Sequence, residues 1–257
     1  ILLVDLDYQG SLSDLLQSVR STADPNILGE WLSWGRVPKS LDGKTVGVEG
    51  IDGIDLVTAA YELSDIEDNL FLRWLLNDEE GSDVRSRLAN VLTNSNLMTS
   101  KQYDLVIMDA PPRLSLASVN ALRATDFVIV PSKLQPLSSK PVRRMIRYLN
   151  DFKSRIKADF KIAGVVCSMT RNSNGASGNE TSAYNEIKDA FGDLDYQPKI
   201  FRQFVPDRVP IGRPAGASIG YLLPGFEGDG VRDIFDRLSD EIAQEIGLKF
   251  LVANAAE

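Results

Sequence analysis

Two runs of apolar residues in this sequence end in carboxylates. Ile1-Leu2-Leu3-Val4 leads into Asp5-Leu6-Asp7 and then into Tyr8-Gln9-Gly10. Far downstream, Leu105-Val106-Ile107-Met108 leads into Asp109, with Ala110-Pro111-Pro112 behind it. Uninterrupted apolar runs of this kind read as strands buried on both faces of a parallel sheet. Acids at the C-terminal ends of such strands face the crevice where open α/β sheets take their ligands. The chemistry that suits them is phosphoryl transfer from a Mg-nucleotide, which needs positioned phosphates, a metal and an oriented water. Mg²⁺ keeps several waters and binds few carboxylates, so one strand-end acid such as Asp109 suffices to hold it through that shell. Asp5 and Asp7 are two residues apart; on a strand they point to the same side and could serve the metal shell and the attacking water. Each acid alone is as readily a helix cap or a turn residue. Two acidic strand ends together, the second fixed by Pro111-Pro112, favour the chemical reading. No G-x-x-x-x-G-K-[ST] phosphate loop occurs in the sequence.

The elements that must position these acids alternate between strand and helix, which argues for α/β with a mostly parallel sheet and helices on both faces. Strands are predicted over 1–6, 54–58, 104–109, 126–131, 161–168 and 199–205. The stretch 136–157 reads as a helix, because Val142, Met145, Ile146, Leu149, Phe152 and Ile156 recur at helical spacing. Residues 64–97 read as two helices broken near Asp78-Glu79-Glu80-Gly81, and a last helix runs from about Val231 to Ile246 with Gly247 as its C-cap. Asn172 to Asn179 is a polar, Gly-rich loop. The whole chain, 1–257, reads as a single domain with an acidic extended region at about 24–100.

The chain has 257 residues, 43% of them hydrophobic, enough for a sizeable core. It has no His, which removes His-based acid–base chemistry and His-ligated metals. The single Cys, Cys167, sits in the apolar run 162–167 and reads as an inert core thiol; it cannot form an internal disulfide or a CxxC site. No apolar run approaches the length of a spanning helix, and a reducing cytoplasm is the expected compartment. The net charge is −8 but unevenly spread. Residues 24–83 carry 14 acidic and 4 basic side chains; residues 133–157 carry 8 basic and 1 acidic. Either run reads first as a solvated face.

Asp5-Leu6-Asp7-Tyr8-Gln9-Gly10-Ser11-Leu12-Ser13 resembles the D-x-D-P-Q-G-N-x-[ST] segment of ParA-type partition ATPases, the Soj/MinD branch of P-loop NTPases. Asp104 to Ser115 resembles their Walker B segment, Y-D-x-h-h-h-D-x-P-P-x-L. Ile54 to Leu63 is similar to the strand before a "P-A-x-x-x-L" stretch, and Val128 to Pro131 with Gln135-Pro136-Leu137 to the next strand and its exit. Val165 to Arg171 falls where that family enters its base-binding region, and Phe204-Val205-Pro206-Asp207-Arg208-Val209 resembles its adenine-cupping turn. These matches run in the family's order from residue 1 to about 246, which is more specific than any one motif.

The resemblance implies a deviant P-loop α/β fold, with ATP and Mg²⁺ as cofactors and a homodimer formed on ATP binding. It implies slow hydrolysis stimulated by a ParB-like partner, for plasmid or chromosome partitioning. By position, Asp7 resembles the residue that orients the attacking water. Asp5 and Asp109 resemble the Mg-shell carboxylates. Thr170, Arg171, Pro206 and Asp207 resemble the adenine site. The family's lysine-bearing phosphate loop is expected upstream of Ile1, so the chain is expected to lack the first strand and P-loop and to be inactive alone. Tyr8 departs from the family's Pro, and Asp207-Arg208 from its usual R-N. Many partition ATPases bind DNA non-specifically, and Arg143, Arg144, Arg147, Lys153 and Lys157 lie off the apolar stripe of their helix, flanked by Lys133, Lys140 and Arg155. Nucleoid association is the corresponding location. A MinD-like membrane tail is disfavoured, because 247–257 has one Lys and an acidic end. A non-hydrolysing scaffold of the same fold, a MinD-like positioning ATPase and an amidoligase sharing the core remain as alternatives.

Overall fold

Leu2, Val4 and Leu56, none of them exposed to solvent, show why the first strands form where they do. Each lies in a short apolar run with nothing polar to hold in water, and pairing in parallel satisfies the backbone while both faces are covered. The computed structural model describes residues 1–16, 27–34, 41, 45–48, 51–59, 62–76, 83–93, 103–189, 191–192, 198–207 and 225–248. The chain forms two units, the first taking in Ile1–Thr125 and Ile156–Asp159, the second the remaining described residues.

In the first unit, β1 (Leu2–Asp5) lies between β3 (Asp55–Val57) and β4 (Val106–Asp109), parallel to both. A two-residue strand, β2 (Val46–Gly47), adds to β3 antiparallel, giving the order β2-β3-β1-β4. The helices are α1 (Ser11–Leu16), α2 (Ile27–Trp34), α3 (Leu63–Leu75), α4 (Arg87–Leu92, after a 3-10 turn at Val84–Ser86) and α5 (Leu116–Ala124). Leu28 and Trp31 of α2 and Leu88 and Val91 of α4 share one core with Leu2, Val4 and Val57 of the sheet. Two buried polar side chains fix these helices. Arg87 is 2% exposed and its Nη1 donates to the carbonyls of Leu32 (2.9 Å) and Ser33 at the end of α2. Those carbonyls have no partner within the helix, so the guanidinium supplies one and its own charge is solvated by them. Asn120 accepts from Leu88 N (3.0 Å) and donates to Val84 O (2.8 Å), tying α5 to α4.

In the second unit, β5 (Phe127–Lys133) pairs in parallel with β6 (Lys161–Thr170), which pairs in parallel with β7 (Lys199–Ile200) and β8 (Val205–Pro206). Gly164 is required here: a Cβ would sit 2.5 Å from the Lys199 carbonyl, so a side chain would push β7 off β6. The helices are α6 (Pro136–Ile156), α7 (Asn179–Asp189) and α8 (Gly225–Ile246). Val166, Phe201 and Leu238 form a small core between β6 and α8. Gly247, at φ 74°, ends α8, and Leu248 N closes back on Ala243 O at 2.8 Å, the Schellman pattern.

The α/β class with mostly parallel strands is as expected. Several elements differ. Residues 199–205 form two short strands rather than one, both on β6. The strand expected over 161–168 continues to Thr170, through a register irregularity between Ser168 and Thr170. The sequence pattern does not announce β2, α1, α2, α5 or α7; α1, α2 and β2 are too short for a periodic signal. The last helix starts at Gly225, earlier than Val231. The break at Asp78–Gly81, the residues from Arg208 to Gly220 and the tail beyond Leu248 lie outside the described residues. Among the described residues, no helix is long and apolar enough to cross a membrane.

Candidate functional site

The two acidic strand ends meet. β1 and β4 are neighbours in register, so Asp5 stands directly beside Asp109, and Leu6 N donates to Asp109 O at 2.8 Å. The expectation that Asp5 and Asp7 share a strand face needs correction, because β1 stops at Asp5. Asp5 Oδ1 accepts from Asp7 N at 3.2 Å, turning the chain out of the sheet at once. Asp7 then makes its own turn: Oδ1 accepts from Gln9 N (3.1 Å) and its carbonyl accepts from Gly10 N (2.9 Å), with Gly10 at φ 64°. A carboxylate that holds a backbone N–H two residues on is the Asx-turn pattern.

Asp5 is fully buried. Its Oδ2 accepts from both Ser13 N (2.8 Å) and Ser13 Oγ (2.7 Å), capping the first turn of α1. Ser13 Oγ in turn accepts from Ala59 N (3.0 Å), which joins the exit of β3 to the same knot. Asp5 therefore has both oxygens engaged by the protein. Asp109 differs: it is exposed, and its carboxyl is held above the usual carboxylate range, first by partial withdrawal from water, then by the charges of Asp5 and Asp7. Asp5 and Asp7 add their negative charge beside Asp109, and acids of one sign brought together favour a bound cation. Among the described residues no cluster of three or more His, Cys, Asp or Glu forms a metal cage. A single exposed acid beside two others suits Mg²⁺, which needs only one or two carboxylates besides its waters and phosphates.

The loop after β4 is tied to the same turn. Arg113 lies 5.0 Å over the Tyr8 ring, a cation–π contact, and its Nη2 reaches Glu67 of α3 at 3.3 Å. Glu67 is 8% exposed, and its Oε1 accepts from Ala117 N at the start of α5 (2.6 Å). Tyr8, at the position where a Pro was expected, is thus the handle that links the Asp7 turn to the segment behind Asp109.

In the second unit the four expected base-site residues are brought together. Thr170 of β6 pairs with Pro206 of β8, and Asp207 N donates to Thr170 O at 2.9 Å. Thr170 is 1% exposed and its hydroxyl donates to Asn172 O (2.8 Å); Arg171 and Asp207 are exposed at the rim. Met169 takes φ 55°, a left-handed conformation costly for a side chain, directly before this rim. Strain of this kind collects at ligand sites.

Glu180, at the start of α7, holds the loop that Arg171 begins. It accepts from Arg171 N (2.9 Å), Ser177 N (3.0 Å) and Ser177 Oγ (3.2 Å). Burial works to raise its pKa, but these three donors outweigh it and hold the carboxyl below the usual range. Its contribution is therefore present above the ordinary carboxylate pKa and lost as pH falls through the lowered folded value. Glu180→Ala is expected to destabilise the protein by about 1–3 kcal/mol at neutral pH. The gap to wild type should close in acid, as urea unfolding at the two pH values will show. Ser177-x-x-Glu180 has the S-x-x-E spacing of a capping box, which is a signal in the sequence, but only the bond from Ser177 N to the Glu180 carboxylate follows that motif. Glu67 and Arg113 carried no comparable local signal. Cys167 is buried and its thiol is pushed up to about 12 by burial and then by the Glu180 charge, consistent with an inert core thiol.

A parallel α/β protein with adjoining acidic strand ends and a capped β1–α1 turn belongs to the nucleotide-binding class of open sheets. Comparison with known proteins narrows this. Residues 1–162 match the family model described as AAA domain. The chromosome partitioning protein ParA of Caulobacter vibrioides is 26% identical over 217 residues, covering 83% of this chain and 74% of that protein. The ATP complex of McdA from Cyanothece superposes with TM-score 0.70 at 18% identity, covering 98% of this chain and 86% of that one. Cobyrinic acid a,c-diamide synthase from Mycobacterium smegmatis, with bound ATP analog and magnesium, gives 0.59 at 23% identity, covering 80% and 74%. The chain belongs to the AAA-domain family, in its ParA-type partition ATPase branch.

Proposed function

We propose that residues 1–257 form one domain of an ATP-dependent partition switch: the intact protein is an ATPase that dimerises on ATP, hydrolyses it slowly and is stimulated by a ParB-like partner while positioning DNA. The observation that carries this reading is the register pairing of Asp5 with Asp109 beside the Asp7 turn. Asp109, the exposed acid of the three, would hold the Mg²⁺ that accompanies ATP. When bound, the metal neutralises charge on the phosphates. Asp7, in its turn, presents its second oxygen to the attacking water. Asp5 sets the geometry of both neighbours: its oxygens fix the exit of β1 and the start of α1, and its charge adds to the field that draws the cation. Thr170, Arg171, Pro206 and Asp207 form the rim that receives the base, with Glu180 holding Arg171 in place. The ParA resemblance supports the dimer and the partner.

The direct test is thermal unfolding of the intact protein with Mg²⁺ and ATP. Wild type is expected to be stabilised by Mg-ATP, since a ligand that binds only the folded state raises its stability. Asp109→Asn should lose the Mg²⁺-dependent part of that rise. Without ligand, Asp109→Asn should melt above wild type at neutral pH. A carboxyl whose folded pKa is raised stabilises only below its ordinary pKa and loses that contribution as pH rises through the folded value. No response of wild type to Mg-ATP would favour the scaffold reading.

A further inference from the structure

The C-terminal half of α3 is apolar almost all the way round. Leu70 packs inward at 3% exposure, yet Phe71 (56%), Leu72 (52%), Trp74 (43%), Leu75 (60%) and Leu76 (73%) face solvent. A helix that is hydrophobic all round is a buried helix, and contiguous exposed apolar surface of this kind marks an interaction site. The Phe71 and Trp74 rings contact each other with centroids 6.0 Å apart, so the patch has a preformed aromatic ridge. Neither the acidic strand ends nor the base rim accounts for it.

Charge identifies what covers it. The exposed face of the N-terminal half of α3 carries Glu62, Asp65 and Asp68. In sequence, Asp78-Glu79-Glu80 follow the apolar run, so residues 62–80 hold seven acids and one base, Arg73. A second α3 is a poor occupant. Paired in parallel, Glu62, Asp65 and Asp68 would each face their own copies, and like charges brought together beside the apolar centre cost rather than stabilise.

We propose that α3 docks a basic amphipathic helix from a different protein, one whose apolar stripe covers Leu72, Trp74 and Leu75 while its Lys or Arg residues meet Asp65, Asp68 and Glu62. This is the helix-in-groove type of recognition, with charge setting orientation and apolar anchors the affinity. Glu67 lies on the same helix and holds Arg113 and Ala117 N, so the docked helix would rest one turn from the contact that links α3 to the Tyr8 turn.

The test uses a fluorescent 18-residue peptide of Lys and Leu at helical spacing, titrated into the nucleotide-free intact protein. Expected are saturable binding that weakens with salt and a blue shift of the tryptophan emission as Trp74 is covered. A peptide of the same composition in scrambled order should bind at least tenfold more weakly. Leu72→Ser with Leu75→Ser should weaken binding at least tenfold, and Asp65→Lys with Asp68→Lys should weaken it similarly and flatten the salt dependence. These positions are exposed, so both variants should keep the wild-type melting curve. The proposal is overturned if the wild type ignores the peptide or if neither pair of substitutions changes binding. It is equally overturned if sedimentation shows nucleotide-free oligomers that Leu72→Ser with Leu75→Ser dissolves, because the occupant is then a second copy of this chain.

Discussion

Replacing Asp7 with Ala is expected to lower ATP turnover of the intact protein by roughly 10²–10⁴-fold, the range for a positioned proton acceptor or water-orienting group, while ATP affinity stays unchanged. Binding survives because Asp7 lies beyond the end of β1, and the pairing of β1 with β4 needs only its backbone neighbours. The side chain does hold Gln9 N, and losing that bond costs about 1 kcal/mol of local order. Asp7→Asn separates the two effects: an amide oxygen can still accept from Gln9 N but carries no charge. Both variants should lose turnover if the carboxylate orients water; a normal rate in Asp7→Asn would assign Asp7 to the turn alone. A second readout is independent of rate. The charge of Asp7 helps to raise the pKa of Asp109, so either variant should move the acid limb of Mg²⁺-dependent stabilisation to lower pH.

How far such residues were legible depended on whether their partners lay nearby in sequence. The strands under Asp5 and Asp109 were readable because buried parallel strands are continuous apolar runs, whereas their pairing in register appears only in the structure. The end of β1 was not readable: it is set by a single hydrogen bond from Asp7 N to Asp5, which overrides the strand pattern. Asp5 itself illustrates the ambiguity of an acid at a strand end. It caps α1 through Ser13 and stands beside Asp109, so structural and chemical readings coincide in one residue. Glu67, Arg113 and Arg87 were invisible because each finds its partner across tens of residues, where no local spacing speaks. The residues proposed to receive the base were named by resemblance, but the left-handed Met169 just before them has no sequence signature, since Met carries no preference for that conformation.

Reversing Arg143, Arg144 and Arg147 to Glu is expected to lower non-specific DNA affinity at low salt by on the order of 10²-fold or more and to flatten its salt dependence. These three side chains are exposed on α6, whose opposite face is anchored by Val142, Ile146, Leu149 and Ile156, all under a tenth exposed. The apolar anchors hold the helix whatever the outer face carries, so the reversal should leave the fold intact. Exposed Met145 and Tyr148 lie among the arginines, and Tyr148 stacks on Phe152 with centroids 5.2 Å apart. Apolar body and cationic rim together suit a sugar-phosphate surface better than a purely solvated face requires. Each phosphate that is no longer neutralised takes about 0.9 from the slope of log affinity against log salt. Removing all three arginines therefore gives a change that titrations at two or three salt concentrations resolve. Retained affinity with an unchanged slope would return this face to solvent. Weakened DNA binding with unchanged ATP turnover would separate DNA holding from the nucleotide cycle.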